Sequence, residues 1–394
     1  MVNYDDALRL IDNYSFKIKT IEIDTFTSLG YTLATDVCSH INVPAFRKSA
    51  MDGYALNAEN DLTASLEVID TIYAGSNHNP KVLNGQCVKI MTGAPVPSDC
   101  DVVIVKELAT EHNNLVHFTM PKTKLNANIC QIGEDITAGR QLFSAGTLIT
   151  PTIISSLISS GNHTVSVYQK PKILLVTTGD EVVTSASRLD YGQIYNSNLA
   201  YLKPRMQELG FTSDHIHITD TTDNLDSLFK SNFEFIITTG AISVGDRDII
   251  RMFIKAQKPK IIFDRVNIMP GGPVVFWEYN DTPIISLAGS PFANFVTFEL
   301  FARRILSHLT GDRTMIAAEK QLILNDSYCK TLKKRRFLKA RIEANKVTIP
   351  ATNHLASSMH EMTLCNCLIN LERGEIDLKP GDIVNVLDTR RNNE

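Results

Sequence analysis

The chain has 394 residues, 43% of them apolar, and a formal charge of −4. That length holds about two to four domains, and the charge gives no basic excess on which to propose a nucleic-acid partner. No apolar run approaches the roughly 20 residues needed to span a bilayer, and the acidic start Met-Val-Asn-Tyr-Asp-Asp lacks a secretion signal's apolar core, so a cytoplasmic protein is expected. The seven cysteines are scattered, and Cys365 and Cys367 stand too close together for the usual zinc spacing, so reduced thiols are expected.

In chain order, residues 4–12 predict a short amphipathic helix with acids in its first turn. Pro44 starts an extended segment, and Asp52-Gly53 reads as a turn between apolar residues. Residues 66–150 carry short strand signals separated by Gly, Asn and Pro, which predicts a β-rich module. Within it, Ile-Met-Thr-Gly-Ala-Pro-Val-Pro at 90–97 is a strand running into a proline-braced loop, 101–107 is a second strand, and 133–139 is an acid-bearing turn. Residues 151–161 fit a helix with Pro in the first turn and Gly at the end.

From Lys172 the rhythm changes. Residues 173–177 form a buried-type strand leading to Gly179, Asp180 and Glu181, and residues 196–209 are helical, with Pro204 expected to kink or shorten the helix. Further strands are expected at 215–219, 233–239, 260–263 and 283–287, with helices between several of them. This alternation predicts a parallel sheet covered on both faces. Ligands bind such sheets beyond the carboxyl ends of the strands. Asp180, Glu181, Asp220, Ser243, Asp248 and Gly289 all fall there. The turn holding Gly240 and Gly245, ahead of a helical pattern from Asp246, suits an anion brought close to backbone N–H groups; an ordinary turn with Ser and Asp as caps fits the same residues. Residues 290–309 have apolar positions at a helical period behind Gly289-Ser290-Pro291, a second possible anion-binding start. Residues 320–390 return to short strands and turns, as in a small separate β domain.

Three stretches decide the resemblance: Ser-Ala-Met-Asp-Gly-Tyr-Ala at 49–55, the 90–97 segment, and Thr-Gly-Asp-Glu at 178–181. With Gly-Glu-Asp at 133–135, they resemble the molybdopterin molybdenumtransferase family, the MoeA type that includes the C-terminal domain of gephyrin, over essentially the whole chain. The resemblance implies a multidomain α/β plus β fold. Residues 1–168 would form a discontinuous, β-rich N-terminal and linker region with an insert at about 46–140, residues 169–312 a MogA-like α/β molybdopterin-binding domain, and residues 319–394 a small β barrel.

It also implies a cytoplasmic homodimer that inserts molybdate into adenylated molybdopterin and releases AMP with Mg²⁺ assisting, alongside a MogA-like adenylyltransferase and molybdoenzyme partners. Asp52, Thr92, Glu181 and Asp248 would be catalytic, and Asp52, Thr92 and Asp135 would close the cleft of the other subunit. Asp180, Glu181, Asp220 and Asp248 would hold the hard ion. Gly240, Ser243, Gly245, Arg265, Gly289 and Ser290 would seat the phosphate-bearing substrate.

The chain departs from the family pattern in its cations. The family's Lys-x-x-x-Lys-Pro-Gly-Lys-Pro stretch reads Arg-Val-Asn-Ile-Met-Pro-Gly-Gly-Pro at 265–273, which keeps Arg265 but puts Met269 and Gly272 at two lysine positions. Ala241 and Ser290 are further changes, the arginine expected before Gly133 is replaced around Cys130-Gln131, and the Gln-Gly-Ser-Gly turn of the last domain is blurred at 354–358. A diverged, non-catalytic MoeA-like protein that binds molybdopterin or a partner is the alternative these losses suggest.

Overall fold

A computed structural model describes residues 1–183, 188–219, 225–240, 242, 248–350 and 355–391. The predicted first helix is Tyr4–Asp12. Its buried positions Tyr4, Ala7 and Ile11 recur at helical spacing. They pack with Phe263, Phe276 and Phe301 of the α/β unit, and Arg304 holds Asp12 with two hydrogen bonds of 2.6 Å.

The strand Thr20–Asp24 pairs antiparallel with Thr164–Tyr168, so residues on either side of the intervening module share one ladder. Helix Pro151–Ser159 covers it, with Pro at the helix start, as the sequence predicts, and with Thr150 accepting a hydrogen bond from Ile153 N. The inserted module is a six-stranded sheet in the order Val102–Val105, Gly53–Leu56, Gln86–Ile90, Leu66–Ile72, Leu115–Phe118, Ala109–His112. Gly53 has no room for a side chain: a Cβ there would lie 2.0 Å from the Ile104 carbonyl oxygen.

The α/β sheet runs Ser213–Ile218, Ile173–Thr178, Phe235–Thr239, Thr282–Leu287, Val275–Tyr279, Lys260–Asp264. Alternate residues of its central strands serve two cores. Ile173, Leu175, Ile237 and Ile285 face one layer, while Leu174, Val176, Ile236 and Ile284 face the other. Burial on both sides is why these strands read as unbroken apolar runs. The first four strands are parallel, as expected; Val275–Tyr279 runs against them, and Lys260–Asp264 runs against Val275–Tyr279 and so points with the first four. Asn280 and Asp281, at φ +48° and +64°, make the tight reversal between Val275–Tyr279 and Thr282–Leu287.

Two expectations are refined. Helix Ser197–Glu208 is not cut short at Pro204: one hydrogen-bond donor is lost, but Leu202, Arg205 and Met206 remain buried along its face. The predicted helix over 290–309 is interrupted by a π-helical stretch, Phe298–Ala302, between Pro291–Thr297 and Arg303–Thr310. The stretch carries Glu299, which is fully enclosed and paired with Arg205 at 2.9 Å and Arg303 at 2.6 Å. Both arginines also donate to the Thr389 carbonyl, tying the end of the chain to this helix.

The last unit is a closed five-stranded barrel. Arg335–Glu343, Lys346–Thr348, Ala318–Leu324, Ile383–Asp388 and Cys367–Leu371 pair in turn, and the last returns to the first. A short outside strand, Ile268–Met269, runs parallel to Arg335–Glu343 and joins the α/β unit to the barrel.

Candidate active site

Three parallel strands end around one cavity of about 300 Å³. Thr177, Thr178, Gly179 and Glu181 come from the end of the 173–178 strand, Thr239 and Gly240 from its neighbour, and Gly289 from the turn after Thr282–Leu287. Asp248 enters from the start of helix Ile249–Gln257, where its side chain does not cap the helix. Helix Ser197–Glu208 adds Asn196, Ser197 and Asn198.

The glycines are set by contact distance. Gly240 sits at φ +92°, and a Cβ on it would lie 2.5 Å from Thr178 Oγ1. A Cβ on Gly289 would come within 3.3 Å of the Gly240 Cα, so two strand ends meet backbone to backbone.

A hydrogen-bonded frame holds the turns. Asn198 Nδ2 donates to Thr239 Oγ1 at 2.9 Å and to the Gly289 carbonyl at 2.7 Å. Asn294 Nδ2 reaches Thr239 Oγ1 at 2.7 Å and Ala288 O at 3.2 Å. Asn196 caps its helix at Leu199 N and donates to Thr177 Oγ1, which also lies 3.0 Å from His215 Nε2 and 2.9 Å from His217 Nδ1. Burial, then the positive fields of His217 and Lys203, hold the His215 pKa below the ordinary imidazole value. Among the described residues, the buried Asn198 Oδ1 has no hydrogen-bond partner, and it belongs to a residue lining the cavity. A buried acceptor left unpaired is paid for only if something supplies its donor.

Of the sequence-predicted residues, Glu181, Asp248, Gly240 and Gly289 therefore share one cavity. Asp180 is exposed on the same turn and is not part of that lining. Asp220, Ser243 and Gly245 lie outside the described residues. Ser290 lines a second cavity of about 530 Å³, which shares Gly289 with the first and is walled by the 269–273 loop. Arg265 lines neither: its φ is +62°, its carbonyl accepts from Val2 N, and its N–H donates to Val274 O.

Asp52 and Thr92 also line neither cavity. They meet each other in the inserted sheet, where Asp52 Oδ1 accepts from Thr92 N at 2.9 Å and Thr92 Oγ1 at 2.8 Å, and Oδ2 accepts from Lys106 Nζ at 3.1 Å. The Thr92 backbone and hydroxyl bonds, then the Lys106 contact, hold the Asp52 pKa down to about 2. Asp135 is exposed in its turn, its N–H donating to the Val43 carbonyl at 3.0 Å.

Sequence reasoning missed Asn198, Asn196, Thr177 and Thr239. A signal was present at 196–198, where Asn-Ser-Asn puts three cap-type residues ahead of an apolar helix that needs one.

Comparison with known proteins explains this arrangement. The family description "MoeA N-terminal region (domain I and II)" matches residues 2–161, and "Probable molybdopterin binding domain" matches residues 174–308. A molybdopterin molybdenumtransferase of Bacillus subtilis (strain 168) is 30% identical over 407 aligned residues, covering 99% of this chain and 94% of that protein. The chain belongs to the molybdopterin molybdenumtransferase family. A family member of the same name from Staphylococcus epidermidis is 29% identical over 99% of the chain and 96% of its own length. The crystal structure of the molybdopterin biosynthesis MoeA protein of Pyrococcus horikoshii superposes with a TM-score of 0.84 over 99% of both chains at 23% identity, a likeness of fold. The closed barrel, the split N-terminal region and the α/β unit are thus a molybdenumtransferase architecture, as the sequence resemblance implies.

Proposed function

We propose that this chain is an enzyme of molybdenum cofactor biosynthesis that inserts molybdate into adenylated molybdopterin and releases AMP. The observation that carries the reading is the cavity in which Glu181 and Asp248 share their space with the close-packed turns at Gly240 and Gly289. Backbone at such turns approaches a phosphate without a side chain in the way. Asn198 Oδ1 offers an acceptor for a substrate N–H, such as a pterin ring carries.

Glu181 and Asp248 also suit a divalent cation. Among the described residues no three metal-ligating side chains group together, and a magnesium ion needs only one or two carboxylates when phosphate and water complete its shell. Asp180 and Asp220 are read as further oxygen donors, and Ser243 and Gly245 as part of the phosphate seat. When bound, such an ion neutralises phosphate charge and polarises the bond to be broken. The protein's own part is to hold the phosphate beside the two carboxylates and to orient the pterin.

We further read residues 1–168, 169–312 and 319–394 as the functional divisions of a cytoplasmic homodimer. In that assembly Asp52 and Thr92, pre-set by their mutual hydrogen bonds, would close the cleft of the second copy with Asp135. A MogA-like adenylyltransferase would supply the substrate, and molybdoenzymes would receive the product. The test is release of AMP from adenylated molybdopterin by the purified chain with Mg²⁺; none at millimolar molybdate would overturn the proposal.

A further inference from the structure

We propose that His215 and His217 are positioning residues of the strand-end cavity: they share the hydroxyl of Thr177 and so fix Asn196 and the helix start that lines the cavity, in an arrangement that accepts one proton on the pair but not two. The kinetic consequence rests on the function proposed above. Thr177 is buried and lines the cavity, and three contacts converge on it. Its Oγ1 meets Asn196 Nδ2 at 3.0 Å, His215 Nε2 at 3.0 Å and His217 Nδ1 at 2.9 Å. A hydroxyl has one hydrogen to give and two lone pairs to fill. Asn196 fills one lone pair, because its Oδ1 accepts from Leu199 N at 3.0 Å and leaves the NH₂ to face Thr177. The hydroxyl hydrogen then goes to one imidazole, and the second lone pair accepts from the other. One ring must therefore present a bare nitrogen and its neighbour an N–H, which a neutral or singly charged pair satisfies. A pair with both rings charged aims three donors at two lone pairs, so one contact breaks.

Strand pairing sets the rings in place. Ser213–Ile218 is an outer strand of the sheet, with His215 opposite Leu175 and His217 opposite Thr177. Cross-strand partners share a face, and Leu175 packs with Leu202 and Met206, so both rings look toward helix Ser197–Glu208. Both are half-buried, within reach of protons from solvent, and neither lines the cavity itself. The charged groups around them are few. Strand Ile173–Thr178 carries no titratable side chain, and Asp214 alternates to the opposite face. From the helix, Lys203 adds a positive field at His215, while Tyr201 and Arg205 bind Glu299 and Glu208 binds Arg205. Burial, then His217 and Lys203, lower the His215 pKa, so the pair resists a second proton. When that proton does arrive, the latch on Asn196 gives. Asn196 caps the helix whose Asn198 braces Thr239 and the Gly289 carbonyl, so the polar wall of the cavity loosens while Glu181 and Asp248 keep their own supports.

Two measurements on the full-length chain test this. Imidazole ¹⁵N shifts, assigned with His215→Gln and His217→Asn, should show one bare and one protonated nitrogen facing Thr177, and one ring still neutral below the ordinary imidazole value of about 6.5. In steady-state AMP release, KM for adenylated molybdopterin should rise about tenfold from about pH 7 to about pH 5, the scale of one lost hydrogen bond, while kcat moves less than about threefold. Glutamine at 215 and asparagine at 217 put an amide where Nε2 and Nδ1 stand but take no proton. The double variant His215→Gln/His217→Asn should thus stay within about threefold of the parent near neutrality and lose the rise in KM. Comparing the two chains cancels titration of the substrate and of other residues. Equal KM profiles in both, or two fully charged rings at about pH 6 with the Asn196 amide signal unmoved, would overturn the inference. If the rings titrate as described but no AMP is released, the proposed activity alone fails. If AMP is released and the KM profiles coincide, the positioning role alone fails.

Discussion

Two cavities meet at Gly289, and they are built on opposite plans. The one at the strand ends takes its walls from a single sheet: its carboxylates, hydroxyls and glycines all follow directly from strands of the α/β unit or the helices after them. The other is assembled from two units, a proline- and glycine-rich loop of the α/β unit and a hairpin of the barrel. In the first, Glu181, Asp248, Gly240 and Gly289 line one space, and a Cβ on Gly289 would lie 3.3 Å from the Gly240 Cα. In the second, two cationic positions have changed and the cation in the lining comes from the other unit. A site built on one rigid sheet tolerates little change, because each turn is packed against the next.

This comparison can be broken at several points. The largest effect is expected where the two units are joined. Glu299→Ala leaves Arg303 enclosed without its carboxylate and Arg205 with Glu208 alone, and should destabilise the fold by about 3–5 kcal/mol in urea unfolding.

Gly240→Ala strikes the first cavity alone. Its φ of +92° and the 2.5 Å approach to Thr178 Oγ1 predict a stability loss of roughly 1–3 kcal/mol and a fall of about a hundredfold in kcat/KM for AMP release. Asn198→Ala is gentler. Losing one acceptor and the brace to Gly289 should raise KM for adenylated molybdopterin by about two- to tenfold, read from initial rates.

The smallest effect concerns the barrel's acid tolerance. Burial alone would raise the Asp388 pKa, but hydrogen bonds from Arg390 and Lys320 outweigh that and hold it at about 2. A carboxyl pKa lower in the folded than in the unfolded chain gives stability that is full above about pH 4 and lost as pH falls toward 2. Asp388→Asn should therefore flatten the fall of Tm between those values and leave its slope near neutrality unchanged.

Much of this was legible in the sequence, for physical reasons that vary by region. The sheet strands were readable because burial on both faces leaves apolar runs such as Ile173–Thr178 with few polar interruptions. Helix Tyr4–Asp12 was readable from its spacing, but nothing in it says that it packs on the α/β unit some 260 residues later in the chain rather than on the module that follows it. The antiparallel edge turned on Asn280-Asp281, a two-residue reversal whose positive φ values only context reveals. The π-helical stretch at 298–302 keeps the apolar period of an α-helix, so periodicity alone is blind to it. Glu181, Asp248, Gly240 and Gly289 were found because acids and glycines at strand ends stand out. Asn198 was not, since an asparagine at a helix start has an ordinary explanation. That Lys334 lines the cavity walled by the 269–273 loop was hidden, because its place there depends on a two-residue pairing between Ile268–Met269 and a strand some 65 residues away.

The enclosure of Glu299 has one more consequence. Dissolved ions weaken an electrostatic contact by gathering around it in water, and none can gather around a group sealed from solvent. The Glu299 cluster should hold undiminished in concentrated brine, while the half-open clasp between Arg335 and Asp5 loosens there. In concentrated salt the barrel would stay seated with only its rim relaxed.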